Sequence, residues 1–114
     1  MNKQENLSKL FEEFMKMKFP HYTAGNKQLH ELFGDFVELD AHVAGLVSSY
    51  LKNAPVNKNF VYVDEEMNKQ LSNIKPKSRD EEKALAGFIN RKKILDEMIS
   101  LLKELIDNDP IDES

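Results

Sequence analysis

The chain has 114 residues, which fits one domain with one hydrophobic core. At 40% hydrophobic and 32% charged it falls among ordinary globular domains, well away from disordered chains. The absence of cysteine excludes disulfides, cysteine-ligated zinc, iron–sulfur clusters and thiol nucleophiles, and the formal charge of −4 opposes nucleic acid and anionic lipid.

The first expected helix runs from about Lys3 to Lys18. Asn2 with Glu5 three residues on resembles a capping box. Leu7, Leu10, Phe11, Phe14 and Met17 follow the helical period, and Pro20 stops the helix near Phe19. Its start carries charges throughout and no uninterrupted apolar run, so no signal peptide is expected. The aromatic and methionine residues Phe11, Phe14, Met15, Met17 and Phe19 cover more of this helix than a narrow stripe. Most of that surface is expected in the core, and the surplus marks a surface where a partner or a second copy docks.

After the connection from Pro20 to Gly25, Thr23 or Asn26 caps a second helix reaching about Lys52, where Asn53-Ala-Pro55 ends it. Its apolar stripe is Leu29, Leu32, Phe33, Phe36, Val43, Val47, Tyr50 and Leu51, and Asp40 falls within it. A second stripe holds Gly34, Ala41, Ala44, Gly45 and Ser48. Helix-interior glycines cost about 1 kcal/mol each, so close approach of another helix is expected on this side. Glu31, Asp35, Glu38 and His42 share a further face. It is expected to be solvated, with a Glu38–His42 ion pair.

Residues 55–63 then read as an extended connector laid across the bundle, because Phe60-Val-Tyr-Val63 is aromatic and β-branched. Its Phe60 and Tyr62 are further partner-binding candidates. Asp64 caps a short helix from Glu65 to about Ile74, and its direction is not fixed by the connector. Ser78-Arg-Asp-Glu81 opens the last helix, which carries a heptad seam of Leu85, Phe88, Lys92, Leu95, Ile99, Leu102 and Ile106. The acidic tail from about 107 is expected to fray.

The expected fold is therefore all-α: an antiparallel helical bundle of three main helices plus one short helix, forming a single domain over 1–114. Lys92 interrupts its seam as Asp40 interrupts the second helix. Two explanations stand side by side: a structural ion pair of Asp40 with Lys92 or Arg91, or Asp40 at the rim of a narrower core with Lys92 reaching outwards along its stem.

No serine elbow, glycine-rich phosphate loop or Glu-x-x-His metal motif is present, and no catalytic, cofactor or metal residues are assigned. The leading functional reading is a small cytoplasmic protein-binding module without catalytic activity, such as an adaptor, inhibitor, immunity-type or regulatory protein. The cytoplasm follows from a cysteine-free chain, and no stretch approaches the roughly 20 apolar residues of a membrane span. Two alternatives compete with it. One is a metal-binding or enzymatic bundle using Asp40, Glu38 and His42. The other is a nucleic-acid-associated regulator using Arg91, Lys92 and Lys93.

Overall fold

The computed structural model describes residues 2–20 and 26–107, so His21, a cap at Thr23 and the tail beyond Asp107 lie outside the described residues. Four helices follow in order: α1 (Lys3–Lys16), α2 (Lys27–Leu51), α3 (Glu65–Asn73) and α4 (Arg79–Asp107). A 3-10 turn at Lys58–Phe60 lies between α2 and α3. Among the described residues there is no strand.

Local chemistry sets the helix starts. The side chains of Asn2, Asn26 and Asp64 accept hydrogen bonds from the amides of Glu5, Leu29 and Met67, each supplying an acceptor to an otherwise orphaned N–H. At α4, Ser78 Oγ accepts from the Glu81 amide at 3.2 Å. Glu81 reaches past Ser78 in return. Its Oε1 accepts from the Lys77 amide at 3.1 Å and from Asn26 Nδ2 at 3.2 Å, tying the starts of α2 and α4 together.

The helix ends are equally specific. α2 closes with Asn53 at φ 63°, its amide donating to the Tyr50 carbonyl and that of Ala54 to the Ser49 carbonyl at 2.9 Å. This is the Schellman arrangement, and asparagine is one of the few residues that occupies its left-handed position cheaply. α1 stops at Lys16, two residues before the expected end. Pro20 disfavours helical backbone at Phe19, and Met17 is already extended. Pro20 then packs against Gly87 of α4, where an added Cβ would meet its ring at 3.2 Å. Here a glycine admits a close approach.

Consecutive helices run antiparallel. Lys3 meets Glu104 at 3.4 Å at one end of the α1–α4 pair, and Pro20 meets Gly87 at the other. Asn68 of α3 donates to Asp96 of α4 at 3.2 Å, while Leu71 and Ser72 lie beside Ile89. The two longest helices, α2 and α4, are consequently parallel, with Asn26 by Glu81 at their starts and Asp40 by Arg91 further on.

The core lies between them. All seven seam positions of α4 are buried, as are Leu29, Leu32, Phe36, Val43 and Val47 of α2. Phe36 and Phe33 tilt against Phe88 with ring centroids 5.2 and 5.5 Å apart. Such ring pairs add about 0.5–1.5 kcal/mol beyond the area they bury.

The small-residue face of α2 departs from expectation. Gly34, Ala41 and Gly45 are exposed, and a Cβ added at either glycine would have no neighbour within 4 Å. Among the described residues no other helix covers these three positions, whereas Ala44 of the same stripe is half-buried against the core. The connector departs as well. Asn57 accepts from the Asn59 amide at 2.9 Å and winds the chain into the 3-10 turn, after which Val61 turns inward and Phe60 and Tyr62 outward. α3 ends at Asn73, one residue early, leaving Ile74 buried as its cap.

Candidate functional site

Asp40 is buried and faces α4. Arg91 Nε donates to its Oδ2 at 2.5 Å, and Nη2 donates to Oδ1 at 3.3 Å, so both carboxylate oxygens are used. The guanidinium lies 4.0 Å from the Phe14 ring centroid and 5.0 Å from that of Phe19, and Nη1 donates to the Met17 carbonyl at 3.5 Å. Arg91 thus joins α1, α2 and α4 at one point. A planar fork satisfies a carboxylate and stacks on aromatics at once, which an ammonium cannot do. For that reason Arg91, rather than its neighbour Lys92, meets Asp40.

Lys92 stays within the core at 1% exposure. Its Nζ donates to Asp96 Oδ1 at 2.5 Å one turn on, and Asp96 Oδ2 accepts from Asn68 of α3. The stem fills the seam while the head and its carboxylate fasten the short helix. Only Lys93 of the Arg91-Lys92-Lys93 run is exposed, so the run is not a basic surface patch.

The expected apolar docking surface on α1 is mostly absent. Phe14 is 1% exposed and belongs to the core, because its ring floors the Arg91 guanidinium. Phe11 is half-buried and stacks on Phe14 at 6.2 Å. Phe19 retains an exposed edge but packs edge-on to Phe33 at 6.0 Å and tilted to Phe36 at 5.7 Å. Met15, at 64% exposure, is the one α1 candidate that projects fully.

The connector is different. Phe60 is 55% exposed and Tyr62 49%. His42 of α2 holds them in place. Its Nε2 lies 2.8 Å from the Phe60 carbonyl oxygen, and its ring lies 6.4 Å from that of Phe60 and 5.9 Å from that of Tyr62. The expected Glu38–His42 ion pair does not form, since the histidine turns to the connector instead. Beside this ledge, α2 and α3 enclose a groove of about 470 Å³. Leu39 and Met67 form its buried floor, Tyr62 a wall, and Asp35, Glu38 and Glu66 its rim. Its volume falls within the range of small-molecule sites.

Asp40, Glu38 and His42 are not brought together. Asp40 faces α4 through the core, whereas Glu38 and His42 line the groove against α3. Among the described residues, no group of three or more His, Asp or Glu side chains is arranged to hold a metal ion. Among them too, no helix is long and apolar enough to cross a membrane. Comparison with protein-family models, curated proteins and solved structures finds no match for this chain. Its residues and their geometry are therefore the whole basis for a functional reading.

Proposed function

We propose that the chain is a protein-binding module without catalytic activity, and that it contacts its partner through the Phe60–Tyr62 ledge beside the α2–α3 groove. One observation carries this reading. Two large aromatic side chains are held outward by a histidine–carbonyl bond while the residue between them, Val61, is anchored in the core. An aromatic fixed by its backbone loses little conformational freedom on binding, and exposed aromatics beside a depression are the usual energetic centre of a protein interface. The metal and enzymatic reading is weaker, because the carboxylate it needs from α2 is spent on Arg91.

The test places a photo-crosslinking amino acid at Phe60 and, as control, at Lys103, an exposed position of α4. After irradiation in an extract of the source cells, position 60 is expected to yield a discrete protein adduct. The adduct should disappear with Tyr62→Ser and be absent from position 103. Indistinguishable adducts from both positions, or none from position 60, refute the proposal. An adduct consisting of a second copy of the chain would assign the ledge to self-association.

A further inference from the structure

Resting on the ledge as the contact surface, we infer that the partner presents a cationic segment, with a lysine or arginine side chain entering the α2–α3 groove and an apolar neighbour lying on Phe60 and Tyr62. The rim supplies the first argument. Asp35 and Glu38 of α2 and Glu66 of α3 are exposed, and among the described residues none of them forms an ion pair. Among the described residues no lysine or arginine lines the groove. Of the other polar groups there, Asp64 accepts from the Met67 amide at 2.9 Å and His42 holds the Phe60 carbonyl, while Gln70 and the Tyr62 hydroxyl are neutral. A depression lined by one sign of charge over an apolar floor concentrates its field outward, favouring approach of the opposite charge.

The floor and wall supply the second argument. Leu39 and Met67 are buried at the base, and Tyr62 stands at the side. A lysine or arginine matches this layout from stem to tip. Its methylenes cover the floor, and its head reaches the carboxylates and the tyrosine face. A compact metal ion would leave the floor uncovered, and an anionic segment would meet three unpaired carboxylates. A free polyamine satisfies the rim but leaves the Phe60 ledge bare, whereas a peptide with an apolar residue beside its cation uses both. The chemistry of the whole surface therefore selects a protein segment.

The experiment titrates the isotope-labelled full chain with a short amidated peptide alternating lysine and leucine, following backbone amide shifts. The controls are a glutamate–leucine peptide and spermine. The lysine peptide is expected to give saturable shifts centred on Asp35, Glu38, Tyr62 and Glu66. Raising the salt should weaken its binding, and Asp35→Asn with Glu38→Gln should weaken it about threefold to tenfold. All substituted positions are exposed, so the amide spectrum itself shows that the variant is folded. Equal binding of the glutamate peptide, spermine binding as tightly as the peptide, or shifts centred elsewhere each overturn the inference. A Phe60 crosslink to a partner whose contacting segment lacks lysine and arginine overturns it too, while leaving the ledge proposal standing.

Discussion

Removing the Asp40 carboxylate should destabilise the bundle far more than a surface salt bridge would. In Asp40→Ala the Arg91 guanidinium keeps its place against Phe14, with a side chain only 8% exposed. Among the described residues the Met17 carbonyl, at 3.5 Å, is its one remaining hydrogen-bond acceptor. Leaving a buried charge without its partner costs about 3–5 kcal/mol, whereas an exposed pair contributes about 0–1. Domains of this kind are stable by about 5–15 kcal/mol in total, so the loss is a large share. With a urea m-value of about 1.5 kcal/mol/M, the midpoint should fall by about 2–3 M. Asp40→Asn, which keeps one acceptor, should cost about half as much. Replacing both partners together, as Asp40→Leu with Arg91→Met, should cost about 1 kcal/mol or less, because apolar side chains of similar volume often match a buried ion pair. Urea unfolding of the wild type, Asp40→Leu, Arg91→Met and their double variant, followed by circular dichroism, completes the cycle, with Asp40→Ala and Asp40→Asn measured beside it. A loss below about 1 kcal/mol in Asp40→Ala, or single substitutions that simply add to the double one, would refute the reasoning.

Three further outcomes follow from other parts of the fold. Gly45→Ala and Gly34→Ala should each raise stability by about 1 kcal/mol, since both sites are helical and a new methyl meets open space; thermal unfolding that shows a loss would mean something covers that face. Asn53→Val should lower stability by about 1–2 kcal/mol while Asn53→Gly is neutral or mildly stabilising, because only the former is strained at φ 63°; equal midpoints in urea would contradict the Schellman reading. Asp96→Ala should cost about 3 kcal/mol or more by stranding Lys92, whereas Lys92→Met should cost about 1 kcal/mol or less because Asp96 is a quarter exposed and keeps Asn68. The opposite order in chemical denaturation would show that the lysine is not held in the core by its carboxylate.

Much of the architecture was legible because it depends on local chemistry. The seam of α4 follows from seven-residue spacing alone, and Asn2, Asp64 and Ser78 cap through side chains three residues from the amides they serve. That Asp40 falls within the α2 stripe is also a matter of angle. Its partner was narrowed to two adjacent cations and no further. The choice between them rests on Phe14 and Phe19, which α1 delivers across a separation that no local pattern encodes. The division of α1 between core and surface rests on the same long-range contact. Burial of Phe14 depends on the guanidinium it supports, whereas Met15, the next residue, points outward. The small-residue stripe predicts close packing only if a helix is available to pack, and among the described residues none reaches Gly34 or Gly45. The groove is not legible for another reason: Asp35, Glu38 and His42 alone describe a solvated face of α2, and only the placement of α3 makes that face concave.

Two roles that the sequence leaves entangled fall to different residues: buried charges build the bundle, and the proposed contact surface is made by the connector aromatics. Photo-crosslinking from position 60 in two altered backgrounds measures that division most directly. With Asp40→Leu and Arg91→Met together, the adduct should form at its original yield, because the pair acts only on architecture. With Tyr62→Ser it should be lost while the fold, followed by circular dichroism, is unchanged. Loss of the adduct in the folded Asp40 and Arg91 double variant, with retention in Tyr62→Ser, would contradict the account.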